Sequence, residues 1–152
     1  MNDHPPVLFL DVDGVLNRCG ASNQGLETDK CDRLANLCRL TGCRVVVSST
    51  WRKKEHQMDR LLGLFRSRGI VCIGQTPELV AERKLLDGFM LYTAKPRRDE
   101  IRAWLDAHPR VARYAILDDD PGADDNTGRF VRTNSDDGLQ DSHVAKLQQL
   151  LR

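Results

Sequence analysis

Two carboxylates separated by one residue close an apolar run in Val7-Leu8-Phe9-Leu10-Asp11-Val12-Asp13-Gly14. Four apolar residues in succession read as a strand buried on both faces. Aspartate is poor inside strands and costly to bury unpaired, so a pair at the carboxyl end of a strand points to a site facing solvent. In an open parallel sheet, that edge is where ligands bind. Alternation along the strand puts Asp11 and Asp13 on one side. Two anions there repel unless a cation or a shared proton relieves them. A bare D-x-D-G also fits a polar strand-to-loop turn, so the rest of the chain has to decide.

A second apolar run, Val45-Val46-Val47, leads into Ser48-Ser49-Thr50-Trp51-Arg52-Lys53-Lys54. Hydroxyls followed by cations supply the donors and the positive charge that a phosphate group needs. Capping a helix takes one hydroxyl, not three, so Ser48, Ser49, Thr50 and Arg52 are candidate phosphate contacts. A third run, Tyr114 to Leu117, ends in Asp118-Asp119-Asp120. Lys95-Pro96 stands just before the helix that leads into it.

The elements that must hold these residues follow from periodicity. Residues 1–6 read as a loose lead-in, and Arg18 to Gly25 as a loop of small and polar residues. Helices are predicted from about Asp29 to Leu40, from the Ser48–Lys54 segment to about Arg68, over Arg97–Ala107 and over Asp141–Leu151. Strands are predicted at Arg44–Ser48, Ile70–Ile73, Tyr114–Leu117 and Phe130–Arg132. Gly74 to Pro77 turns the chain, Glu78 to Gly88 carries a mixed helical pattern, and Phe89 to Ala94 is left without an assignment. Strands alternating with helices give a parallel sheet covered on both faces. All the apolar runs then point their acidic or hydroxyl ends at one edge. The helix after Lys95 runs antiparallel to the strand it precedes. About eleven helical residues span roughly 16 Å, close to the roughly 17–20 Å of a strand of five or six residues. Lys95 is therefore expected level with Asp119.

Length and composition bound the class. The chain has 152 residues, 23 basic against 22 acidic and a net charge of +1, which suits one globular domain and argues for no strongly charged partner. No apolar run approaches the roughly 18 residues that span a bilayer, and the first residues lack a signal-peptide pattern. Five cysteines, without a C-x-x-C pair, are expected to be reduced in a cytoplasmic protein, with Cys31 and Cys38 packed on one helix face. Clustered carboxylates at a polar edge suit Mg²⁺. Together with hydroxyls and a lysine they suit phosphoryl transfer.

With these residues in place, the chain resembles the haloacid dehalogenase (HAD) phosphohydrolase superfamily. Its four motifs are matched in order by Asp11-Val12-Asp13-Gly14, Val45-Val46-Val47-Ser48, Lys95-Pro96 and Ile116-Leu117-Asp118-Asp119. The short patterns Ser49-Thr50-Trp51-Arg52, Arg98-x-Glu100-Ile101 and Thr133 … Gly138-Leu139 are similar to the HAD domains of RNA-repair (Swiss Army Knife) proteins. The resemblance implies a single Rossmann-like three-layer α/β/α domain over residues 1–152, with about five parallel strands and no large cap. It makes Asp11 the nucleophile and Asp13 the general acid/base. Ser48 would hold the phosphate, with Ser49 as the alternative, and Lys95 would be the stabilising cation, with Arg98 as the alternative. Asp119 would bind Mg²⁺ directly with Asp118 behind it, completed by Asp11 and the Asp13 carbonyl; Asp120 and Asp124 stand further out. The implied activity is hydrolysis of a phosphomonoester through an aspartyl-phosphate. Its partner is a phosphorylated substrate, a nucleic-acid terminus being one candidate and a small metabolite or nucleotide the other, with Arg52, Lys53, Lys54, Arg97 and Arg98 as flanking cations. A phospho-receiver domain, which carries its acceptor on a middle strand, and an inactive phosphate-binding module are the non-enzymatic alternatives.

Overall fold

The computed structural model describes residues 4–19 and 25–152. The strands Val7–Leu10 (β1), Arg44–Val47 (β2), Cys72–Gln75 (β3), Tyr114–Asp118 (β6) and Phe130–Arg132 (β7) form one sheet in the order β3-β2-β1-β6-β7. Every pairing in it is parallel. The helices are Thr28–Thr41 (α1), Glu55–Ser67 (α2), Arg97–Ala107 (α3) and Asp141–Leu150 (α4).

The near-continuous apolar strands are explained by cover on both faces. Leu8, Leu10, Val45, Val47, Ala115 and Leu117 meet Leu34 and Leu37 of α1, Leu61 and Phe65 of α2, and Val144 and Leu147 of α4. The alternate residues Val7, Phe9, Val46, Tyr114 and Ile116 face Ile101, Trp104 and Leu105 of α3. Phe9 sits edge-on to both Trp104 and Tyr114, with ring centroids 5.4 and 5.9 Å away. The result is the three-layer α/β/α arrangement. Cys31 and Cys38 are buried as expected, and the cysteines of the described residues are free thiols.

The chain leaves β1 toward β2 and β3 on one side, then crosses to β6 and β7 on the other. Strand order therefore reverses at β1. The crevice beyond the carboxyl ends of β1 and β6 is the place such a sheet offers a ligand.

Two expectations about the elements are corrected. The mixed helical stretch at Glu78–Gly88 is instead the first arm of an antiparallel ribbon, Val80–Leu86 (β4) against Phe89–Ala94 (β5). Asp87 and Gly88 both take positive φ, 49° and 81°, which is the two-residue hairpin turn that Asp-Gly favours. The third sheet strand also begins later than predicted, at Cys72 rather than Ile70.

Candidate active site

β1 ends at Leu10 and its neighbour β2 at Val47, in register with each other. The next residues, Asp11 and Ser48, leave the sheet side by side, and the Ser48 amide still donates to the Leu10 carbonyl at 2.8 Å. On the other flank the Asp11 amide donates to the Leu117 carbonyl at 3.0 Å, which sets Asp11 beside Asp118. Asp11, Ser48 and Asp118 are all at most 2% exposed.

The charge among them is balanced by Arg97. Its guanidinium lies 3.0 Å from Asp11 Oδ2 and donates to both carboxylate oxygens of Asp118, at 3.0 and 2.9 Å. Burial, and then the negative charge of Asp118, push the Asp11 carboxyl well above the usual carboxylate range, while Arg97 pulls it back. Burial likewise raises Asp118 against the pull of Arg97. For Arg97 burial opposes the charge, but Asp11 and Asp118 outweigh it and hold the guanidinium firmly protonated.

The sequence places Arg97 only among the flanking charges; in the structure it is the cation in contact with Asp11 and Asp118. Lys95, expected in that place, is exposed and forms no ion pair with these carboxylates among the described residues. It borders a small cleft of about 190 Å³ with Thr50, Lys53 and Glu78. The chain is still on the ribbon side of Pro96 at Lys95, and α3 begins at Arg97. Helical side chains lean back toward the N-terminus, so a first-turn arginine reaches the sheet edge. A cation directly after a proline N-cap was the available signal. Arg98, the other alternative, is exposed.

Two buried oxygens at this edge, Asp11 Oδ1 and Ser48 Oγ, have no hydrogen-bond partner among the described residues. Buried polar groups are nearly always paired, so these two are available for a ligand. Ser49 is differently placed: its hydroxyl accepts the Trp51 amide at 3.2 Å and caps the 3₁₀ turn Thr50–Lys53. Of the two serines, then, Ser48 has the free hydroxyl. Thr50 is exposed at the cleft mouth. Arg52, expected as a substrate contact, is instead held in a buried ion pair with Glu100 at 2.9 Å, and it donates to the Ser49 carbonyl. Glu100 also accepts the Leu79 amide, so the pair ties the 3₁₀ turn to α3 and to the entry of the ribbon. Lys53 pairs with Glu78 at 2.9 Å.

Carboxylate oxygens of Asp11, Asp118 and Asp119 lie within 4.8 Å of one another. Carboxylate oxygens gathered this closely suit one small divalent ion, which prefers oxygen ligands. Gly14, with φ 79°, makes the close approach: a Cβ there would stand 2.2 Å from Asp119 Oδ2. Any side chain at this position would displace Asp119.

The chain turns at Asp13–Leu16, so Asp13 is carried by the loop rather than by the strand that ends at Leu10. Its carboxylate is exposed, and its Oδ1 accepts from Asn17 Nδ2 at 3.0 Å and from the Trp51 indole at 3.1 Å. The C-terminal segment braces this turn. Thr133 Oγ1 donates to the Gly14 carbonyl at 2.8 Å, and the Leu139 amide donates to the Val15 carbonyl at 2.8 Å. The Thr133 … Gly138-Leu139 pattern thus belongs to the support of the D-x-D-G loop. Asp120 caps the turn Pro121–Ala123 through the Gly122 amide, and Asp124 accepts the Asn126 amide.

A family model described as the HAD domain in Swiss Army Knife RNA repair proteins matches residues 7–144. No curated protein and no solved structure gives a significant match. No helix among the described residues is long and apolar enough to cross a membrane.

Proposed function

The chain belongs to the family of HAD domains found in Swiss Army Knife RNA repair proteins, a phosphohydrolase-type fold, and from that premise we propose a Mg²⁺-dependent phosphatase that hydrolyses a phosphomonoester at a nucleic-acid end. The observation that carries the reading is the pair of buried, unpartnered oxygens, Asp11 Oδ1 and Ser48 Oγ, with the other Asp11 oxygen paired to the Arg97 guanidinium. One is a nucleophile and the other a phosphate ligand, with a cation for the developing charge.

In this mechanism Asp11 Oδ1 attacks phosphorus and the ester P–O bond breaks. The departing oxygen takes the proton of Asp13, and the phosphoryl group is left on Asp11. The Asp13 carboxylate then takes a proton from water as the water oxygen attacks phosphorus. The Asp11–phosphorus bond breaks, inorganic phosphate leaves, and Asp13 is again protonated. Ser48 Oγ and Arg97 hold the non-bridging oxygens. When bound, Mg²⁺ neutralises charge on the phosphoryl group; Asp11 and Asp119 would hold it directly, with Asp118, already paired to Arg97, behind them.

The nucleic-acid substrate is supported by the family's occurrence in RNA repair proteins and by an insertion before α3 that is only a two-stranded ribbon. The test is turnover with Mg²⁺ on small phosphoesters, nucleotides, and 3′- or 5′-phosphorylated oligonucleotides. Release of phosphate that Asp11→Asn abolishes is the expected result; undiminished turnover by that variant removes the covalent mechanism. Activity on an oligonucleotide should fall with salt more steeply than on a small phosphoester. Equal salt dependence would replace the nucleic-acid end with a small metabolite or nucleotide.

A further inference from the structure

Asp13 is held by one oxygen only. Its Oδ1 accepts two N–H donors, Asn17 Nδ2 at 3.0 Å and Trp51 Nε1 at 3.1 Å, while its Oδ2 makes no hydrogen bond among the described residues. Both donors are themselves fixed. Asn17 is 2% exposed, and its Oδ1 accepts the Gly14 amide at 3.0 Å, which settles the direction of its NH₂ group. Trp51 is also 2% exposed, and its own amide is tied to Ser49 Oγ. An oxygen that already accepts two N–H bonds has no room for a proton of its own. Oδ2 is therefore the oxygen left to meet a ligand.

We propose that Trp51 and Asn17 are positioning residues that fix the Asp13 carboxyl with its Oδ2 turned to the leaving group of the ester. The inference rests on Asp13 being the acid of the proposed phosphatase. An alcohol oxygen leaves as a strongly basic anion unless it is protonated as the P–O bond breaks. A nitrophenolate leaves without that help. Correct placement of Oδ2 therefore matters for the first class of ester and little for the second. Trp51 belongs to the turn after β2 and Asn17 to the turn after β1, so the hydroxyl-rich strand end contributes to the acid of the neighbouring loop.

The experiment compares kcat/KM on an alkyl phosphate and on p-nitrophenyl phosphate, because kcat/KM reports formation of the phosphoryl-enzyme and not its hydrolysis. Trp51→Phe keeps an aromatic, though smaller, side chain and removes the N–H. It is expected to slow the alkyl ester roughly 10- to 100-fold, a part of the 10²–10⁴ that a placed general acid supplies, and the aryl ester less than about twofold. A role confined to folding would slow both equally, and that result overturns the inference. Asn17→Ala, read in the same way, decides the matter if Trp51→Phe does not fold. Asp13→Asn separates the two levels. If it slows both esters alike, the acid assignment fails. If it is selective for the alkyl ester and neither positioning variant is, the assignment stands and the positioning role falls.

Discussion

The carboxyl edge of the five-stranded sheet and the β4–β5 ribbon lie next to each other in sequence and depart from ordinary burial in opposite directions. At the edge, Asp11, Ser48, Ser49, Glu100, Asp118 and Thr133 are all at most 3% exposed. In the ribbon every residue of both strands is exposed, including Leu85 at 69% and Phe89 at 73%. Buried polar groups need partners, and at the edge most have them: Arg97 for Asp11 and Asp118, Arg52 for Glu100, the Gly14 carbonyl for Thr133. The oxygens left over are Asp11 Oδ1 and Ser48 Oγ. The ribbon holds together by its turn, its backbone ladder and a cross-strand contact of Arg83 with the Tyr92 ring, a structure that is marginal in water. The edge is thus fixed by many interlocking contacts, and the ribbon by few.

If that contrast is right, changes at the edge should act on turnover far more than changes a few residues away. Arg97→Ala removes the cation that balances two buried carboxylates and faces the proposed phosphate. It should lower kcat by roughly 10²–10³, the range for losing one stabiliser of transition-state charge. Lys95→Ala, at the foot of the ribbon, should leave kcat within about twofold by the same argument, since no such contact is lost. The two steady-state rates measured side by side check this. A larger loss at Lys95 would return the cation to the position the sequence suggests.

The same contrast explains what could be read from the sequence. The sheet was legible because Val7–Leu10, Val45–Val47 and Tyr114–Leu117 are apolar runs ending in polar clusters, and buried parallel strands have no other common pattern. Their ends gave the D-x-D-G loop, the serines and the acidic pair. Arg97 was not legible in its role, since Lys95, Arg97 and Arg98 differ in charge and spacing too little to separate; only the exact first residue of α3 decides which reaches Asp11. Arg52 was misread because its partner, Glu100, is 48 residues away. The ribbon was misread because leucines and charges mixed at Leu79–Leu86 fit helix as well as strand until Asp87-Gly88 is given its turn.

A second expected effect is on stability and separates charge from shape at the edge. Burial holds the folded-state pKa of Asp11 above its unfolded value. Between the two values the folded state binds the extra proton, so this group's contribution falls as pH rises from about 4, the unfolded carboxylate value, through the raised folded pKa. Above that it stays low. Asp11→Asn keeps the shape and removes the ionisation, while Arg97 retains both contacts to Asp118. In a metal chelator the variant should therefore melt a few degrees above wild type at pH 7, at about 2–4 °C per kcal/mol for a chain of this size. The gap should close toward pH 4. A variant that melts lower than wild type at pH 7 would mean that the Asp11–Arg97 attraction outweighs the cost of burial.

The smallest effect is expected in the ribbon. Leu85 and Phe89 lie near its turn and are mostly in water, so replacing both by Ser removes almost no burial. Surface changes of this kind stay within about 0.5 kcal/mol each, and the midpoint of thermal unfolding should move by no more than about 2–4 °C for the pair. The sheet edge, joined to the ribbon through Leu79 and Lys95, should keep its proposed rate on p-nitrophenyl phosphate. A fall in melting temperature well beyond that range would show that these side chains are covered in solution. The ribbon would then be bound as tightly as the edge, and the contrast between the two regions would disappear.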